Sequence, residues 1–157
     1  MAGITHDNVI GSLATAVKRL GVVDLVKWDG TPTGQTTGGN IVAAVFPTTW
    51  APYPGRSGLN VTSIIATSTI EVVHMAATTP LDGVTARLQT AVSAIIAALN
   101  ANIDLDLTGT HVDIIGEAPG SNGVTANWGW LPLEDGNMRA CDITAPIILD
   151  DVYPQGL

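Results

Sequence analysis

The residues able to do chemistry are few and scattered. His6, His74 and His111 show no metal-ligand spacing, and each reads as a strand or cap residue. The one thiol, Cys141, has no base near it in sequence and lies in a strand pattern, where it serves as a small buried apolar residue. Carboxylate pairs such as Asp104/Asp106 and Asp150/Asp151 are of the type used in acid–base work, but their spacing is generic. Two segments imitate ligand loops. Gly34 and Gly39 have the separation of a phosphate-binding loop, yet Asn40 and Ile41 stand where Lys and Ser or Thr are required. Asp104, Asp106, Thr108 and Gly109 are spaced as in a calcium loop, yet the last position, which needs a bidentate Glu, is Ile115. The expectation is a protein with no catalytic residue, cofactor site or metal site. A triad assembled from distant positions lies beyond the reach of spacing.

Composition points the same way. The 157 residues fit one domain, 1–157, large enough to bury roughly 70% of the surface its unfolded chain exposes. The chain is 46% hydrophobic and only 13% charged, so Thr, Ser, Asn, Gly and Ala must cover much of the surface, or partners must. Net charge is −8 and lopsided: residues 1–100 hold five acids and five bases, and residues 101–157 hold nine acids and Arg139. The lack of a basic stripe and the one-sided acidic field argue against specific nucleic-acid binding. A lone cysteine gives no disulfide scaffold. The N-terminus has Asp7 and His6 where a secretion signal needs a basic region and an apolar core. No run of about 20 apolar residues predicts a membrane span.

The elements follow from periodicity. In residues 5–21, Val9, Ile10, Leu13, Val17 and Leu20 make one helical stripe, with Lys18 and Arg19 at the negative end of the dipole. Residues 28–40 are dense in Gly, Pro and Thr and predict a flexible loop. "NIVAAVF" predicts a short strand, followed by a second flexible loop over 47–60. The longest strand, "TSIIATSTIEVVHMA", puts Ile64, Ala66, Ser68, Ile70, Val72 and His74 on one face and Glu71 on the other. Neither face is cleanly polar, which predicts cover on both sides. A second helix starts near Pro80, with Val84, Leu88, Val92, Ile95 and Leu99 as its sheet-facing stripe. Around "THVDI", alternation predicts one more strand.

Asp135-Gly136 predicts a terminal β-hairpin in which Trp130 meets Cys141 and Trp128 meets Ile143. Trp128, Trp130, Cys141 and Ile143 then share one face, and Leu131, Leu133, Met138 and Ala140 the other. Pro146 cannot donate to a ladder, so it predicts an edge, a bulge or the end of pairing. The fold class is α+β: a largely antiparallel or mixed sheet, two packed helices and a C-terminal hairpin.

Four stretches give the chain a family likeness: "LGVVDLV" closing the first helix, "SGL" at Ser57–Leu59, the amphipathic helix from Pro80, and "GNMRACDITAPIILDDVYPQ" near the end. Together they resemble the tail terminator proteins of siphophages, particularly those infecting actinobacteria. The last stretch carries most of it, through Gly136, Met138, Arg139, Pro146, Asp151, Tyr153 and Gln155. Tyr153 stands where the family has Trp, and Asp142 puts a charge where its strand is apolar or hydroxylated.

The resemblance implies a structural virion protein at the head–tail interface, assembled in the host cytoplasm. It implies a ring, hexameric in most such proteins, that caps the tail tube, stops tube growth and docks the head connector, while DNA traverses the lumen unbound. Its partners would be further copies of itself, the major tail tube protein, and a head-completion, stopper or adaptor protein. A stopper or adaptor ring is the alternative within this class. A small ligand-binding or hydrolytic α+β domain, with a polar pocket near His74 or His111, is the alternative outside it.

Interface residues are expected at Trp50, Tyr53 and Arg56, residue types that concentrate binding energy, and at Asp150, Asp151 and Tyr153. The last three lie in a C-terminal extension, 150–157, expected to leave the domain beyond Pro146 for a neighbour.

Overall fold

The computed structural model describes residues 6–23, 25–28, 41–58, 61–75, 81–133 and 136–154. Its order is α1 (His6–Arg19), β1 (Leu25–Trp28), β2 (Ile41–Pro52), a 3-10 turn (Pro54–Arg56), β3 (Val61–His74), α2 (Leu81–Ala101), β4 (Thr110–Val112), β5 (Thr125–Leu133) and β6 (Gly136–Pro154). The strands form one sheet in the order β1-β2-β3-β6-β4, with β5 also paired to β6. Only β1 and β2 run parallel, and every other pair is antiparallel. This is the α+β class that the periodicity predicts.

Both helices lie on one face of the sheet, α1 over β1 and β2, and α2 over β3 and β6. The predicted stripes face the core: Val9, Ile10, Leu13 and Val17 from α1, and Val84, Leu88, Val92, Ile95 and Leu99 from α2 are buried, while Leu20, just past the end of α1, is partly buried against them. Opposite them the strands supply Ile70 and Val72 from β3 and Cys141, Ile143, Ile147 and Leu149 from β6. Burying a side chain of this size contributes about 1.5–3 kcal/mol, so this layer dominates stability. By length and composition α2 is apolar enough to cross a bilayer, but its stripe is packed into this core instead. The opposite face of the sheet holds a smaller buried cluster of Val42, Val73, Met75, Met138 and Ala140.

β6 organises the sheet. One edge pairs with β3 along its whole length, from His74↔Arg139 to Val61↔Pro154. Its other edge pairs first with β5, up to Thr125↔Thr144, then with β4, from Val112↔Ile147. Pro146 falls in the gap between those two partners. Its carbonyl accepts the Asp113 N–H (2.9 Å). A strand residue points its N–H and C=O to the same side, so the donor that proline lacks would have faced this gap and not β3. Pro146 therefore costs the ladder nothing, and the strand runs on to Pro154 instead of turning away.

The connection that bridges the gap is built on Asp113, which is 1% exposed. Its carboxylate accepts the backbone N–H groups of Gly116 (3.0 Å), Glu117 (2.8 Å) and Ala118 (3.1 Å). Burial opposes the charge, but the Ser121 hydroxyl and these N–H groups outweigh it and hold the carboxyl below its ordinary value. Gly123 closes the loop at φ +74, where a Cβ would collide with the Ile114 carbonyl.

Several expectations need correction. The loop expected over 47–60 is strand as far as Pro52, because β3 supplies a partner for each residue except the bulged Thr48. The Thr48 hydroxyl instead meets that of Thr69 at 2.7 Å. The C-terminal segment stays in the sheet to Pro154. The hairpin forms with Trp128↔Cys141, Trp130↔Arg139 and Leu133↔Gly136, two residues from the expected pairing. An even slip preserves the faces, so Trp128 still shares a face with Cys141. β1 was not anticipated. The expected loop 28–40, apart from Trp28, lies outside the described residues.

Candidate functional site

Ladder pairing between β3 and β6 breaks once, between Thr62↔Tyr153 and Ile64↔Leu149. There Ser63 alone stands opposite Asp150, Asp151 and Val152. Asp151 absorbs the excess in the left-handed region, at φ 54, which Asp tolerates better than most residues. Ser63 is fully buried and ties the break together. Its Oγ accepts the Asp151 N–H (3.0 Å) and donates to the Arg56 carbonyl (3.0 Å). The Ser63 N–H donates to Ser57 Oγ (3.2 Å), which donates in turn to the Tyr53 carbonyl (2.7 Å). The Tyr53 N–H returns to the Ser63 carbonyl (2.8 Å), and the Asp150 N–H donates to the Gly109 carbonyl (2.8 Å).

This network fixes what is displayed outside. Arg56 Nη1 reaches both oxygens of Asp150, at 3.2 and 3.4 Å. The same guanidinium lies 5.8 Å from the centre of the Tyr53 ring. Arg56 and Asp150 remain 39% and 37% exposed. Asp151 is exposed, and Tyr153 is 51% exposed. Five of the six expected interface residues are thus gathered at one end of the sheet, though their chain positions span about a hundred residues. The sixth, Trp50, stands further along β2 opposite Ala66, and its ring packs against the main core. Ser57 and Ser63, which hold the junction, carried no signal: Ser57 lies in an expected loop and Ser63 at the start of an expected strand, where a lone serine marks nothing.

The other groups able to do chemistry are dispersed. Cys141 is fully buried, and burial, reinforced by the Asp142 charge, pushes its thiol up to about 11 despite Arg139. It is no thiolate at neutral pH. His74 is buried, and Arg87 Nη1 lies 3.4 Å from its Nε2. His111 stands in β4 and is partly buried, while the His6 side chain lies outside the described residues. Asp104 accepts the Asp106 N–H within its turn, and Asp106 meets Asn102 Nδ2 at 3.4 Å and Arg19 at 3.7 Å. Among the described residues no three metal-ligating side chains cluster. A groove of about 490 Å³ runs between α1 and the end of α2, lined by Gly11, Ser12, Thr15, Arg19, Asn102 and Asp106.

One carboxyl pair stands apart. On the sheet face opposite the helices, Glu71 and Asp142 are direct cross-strand partners on the two central strands. The row across the sheet reads Lys27, Ala44, Glu71, Asp142, Asn127 by register. Like charges directly opposite repel, and the pair relieves this by holding a proton. Burial pushes Glu71 up, and the Asp142 charge and a hydrogen bond between the carboxyls add to it, to about 7. This places Asp142, the residue at odds with the family pattern, in a defined register.

No protein-family model matches the chain, and no curated protein matches its sequence.

Ser63→Ala strands the Asp151 N–H and the Arg56 carbonyl and should cost about 1–3 kcal/mol in urea unfolding. Arg56→Ala breaks an exposed ion pair and an exposed contact with the Tyr53 ring and should cost about 1 kcal/mol or less. For the carboxyl pair, Glu71 has a folded pKa near 7 against an ordinary 4.5. Its stabilising contribution is full below pH 4.5 and fades as pH rises through 7. Glu71→Gln keeps the protonated shape, so its urea midpoint should match wild type at pH 5. At pH 8 it should exceed wild type by about 1 kcal/mol, solvent screening included.

Proposed function

We propose that this chain is a structural subunit of a siphophage virion, a tail terminator. Copies of it form a ring, six in the reading we favour, that caps the tail tube, ends its growth and presents a surface to the head connector. DNA passes through the lumen without specific binding. The reading rests first on the sequence resemblance. The structural observation that supports it is the junction at the end of β3 and β6, which lies within Gly136–Gln155, the stretch with the strongest family likeness. A buried serine network fixes the backbone there. Outside it stand an aromatic ring, an ion pair and a free carboxylate. Rigid aromatic and Arg side chains over an ordered backbone are what a repeated protein–protein contact needs.

The acids of the C-terminal third do not gather on one face. Asp104 and Asp106 lie past α2, Asp113 is internal, Asp142 is on the helix-free face, and Asp150 and Asp151 are at the junction. The field that keeps DNA from adhering therefore comes from net charge over the whole ring rather than from one acidic wall.

The test is capping of isolated tail tubes, seen by negative-stain microscopy, with a tube-extension assay beside it. Wild type should cap tube ends and block further addition of tube subunits. The pair Asp151→Lys and Tyr153→Ala should weaken capping at least tenfold while the circular dichroism spectrum is retained. Wild-type protein that ignores tube ends but binds the head connector would move the chain to the stopper or adaptor role. Wild-type protein that binds neither would end the reading.

A further inference from the structure

The sheet has edges, and natural proteins protect edges against pairing with other chains. Among the described residues most are guarded here. β1 and β4 are four and three residues long. Beyond β1, the open half of β2 carries Pro47, Pro52 and the Thr48 bulge. β5 differs. Its nine residues, Thr125–Leu133, contain no charge, and its only proline is Pro132, near one end. Trp128 and Trp130, on one face, are 39% and 53% exposed.

Its backbone polarity can be worked out. The Pro146 carbonyl bonds to Asp113, so even-numbered β6 residues direct their N–H and C=O toward the β5 edge. Their partners Asn127, Gly129 and Leu131 point inward to meet them. Ala126, Trp128 and Trp130 therefore direct their N–H and C=O outward, along with Pro132, which has no N–H to leave unpaired. Arg139 makes the display rigid. Its guanidinium lies 5.1 Å from the centre of the Trp130 ring and donates to the Gly129 carbonyl (3.3 Å).

We propose that this edge pairs antiparallel with the same edge of a second copy, about a two-fold axis at Gly129. The sequence Trp128-Gly129-Trp130 is its own mirror about that point. Gly129 would oppose Gly129 in a non-hydrogen-bonded position, where the strands come closest, to about 4.5 Å between Cα atoms. Glycine suits that approach, and the space around it is open, with no atom within 4 Å of where a Cβ would sit. Each Trp128 would oppose the partner's Trp130 as a hydrogen-bonded pair, and Ala126 would donate to the partner's Pro132 carbonyl. That makes about six new backbone hydrogen bonds and two cross-strand Trp pairs on one face. A homotypic strand pair sets each residue against its own strand, so any net charge on it would repel itself. β5 has none, in a chain of net charge −8. This argues for a second copy over a partner of opposite charge.

The contact is isologous, whereas a ring contact is heterologous. It does not rest on the terminator reading and uses a different surface from the Arg56–Tyr153 junction. The test is Gly129→Cys under mild oxidation. Across the proposed axis the two thiols lie within disulfide reach, and the sole native cysteine, Cys141, is fully buried. The expected result is a covalent dimer as the main product. Its yield should fall at least tenfold when Trp128→Lys and Trp130→Lys are added. Sedimentation of the chain without Gly129→Cys should show a reversible dimer that these two lysines weaken at least a hundredfold, with the circular dichroism spectrum unchanged. A monomer at high micromolar concentration overturns the proposal. So does a ring or dimer in which Gly129→Cys fails to cross-link.

Discussion

The structure depends on one strand, β6, that pairs along most of its length on one edge with β3 and on the other with β5 and then β4. β6 spans 19 residues, far longer than an average strand, and β3, β4 and β5 all pair with it. A strand of that length with a proline inside it would ordinarily be two strands. It stays one because the proline's missing donor falls where β5 has ended and β4 has not begun, and the Asp113 loop occupies that gap. Pro146, Asp113 and Gly123 thus form one device. The proline needs a break on one edge, the loop makes the break, and the glycine lets the loop close.

From that continuity the two surfaces of interest follow. At the far end, β6 overruns the regular ladder, and a left-handed Asp151 with a buried Ser63 brings it back into register with β3. This converts a C-terminal tail into a fixed platform for Arg56, Asp150 and Tyr153. At the near end, the hairpin leaves β5 as an open edge with two tryptophans. Between them, on the central strands, the register sets Glu71 directly opposite Asp142, and the pair holds a proton up to near neutral pH.

Much of this was legible in the sequence, and the failures have physical reasons. Both helices could be read because Val84, Leu88, Val92, Ile95 and Leu99 repeat at the helical period, and burial follows the repeat. The faces of β3 could be read from alternation alone. The hairpin was legible from Asp135-Gly136, but Gly136 begins a strand at φ 125 instead of ending the turn, and the pairing slipped by two. β1 is too short to show a period. Residues 47–52 were expected in a loop, because composition cannot reveal that β3 will supply the other half of a ladder. The junction shows the same limit. Its aromatic, basic and acidic members stood out as residue types. The Ser63–Asp151 contact that assembles them joins positions 88 apart and exists only once β3 and β6 are in register.

The most direct test of the account is site-resolved hydrogen exchange along β6. The account predicts one protected block that runs through Pro146 without a break. Ile147, Ile148 and Leu149 should be as slow as Arg139 to Thr144, and the bonded amides of Asp150 and Asp151 should still be slow. Protection that stops at Ala145, with fast exchange from Ile147 onward, would contradict it. The terminal segment would then be an arm free of the sheet, and the junction it carries would not exist in the isolated subunit.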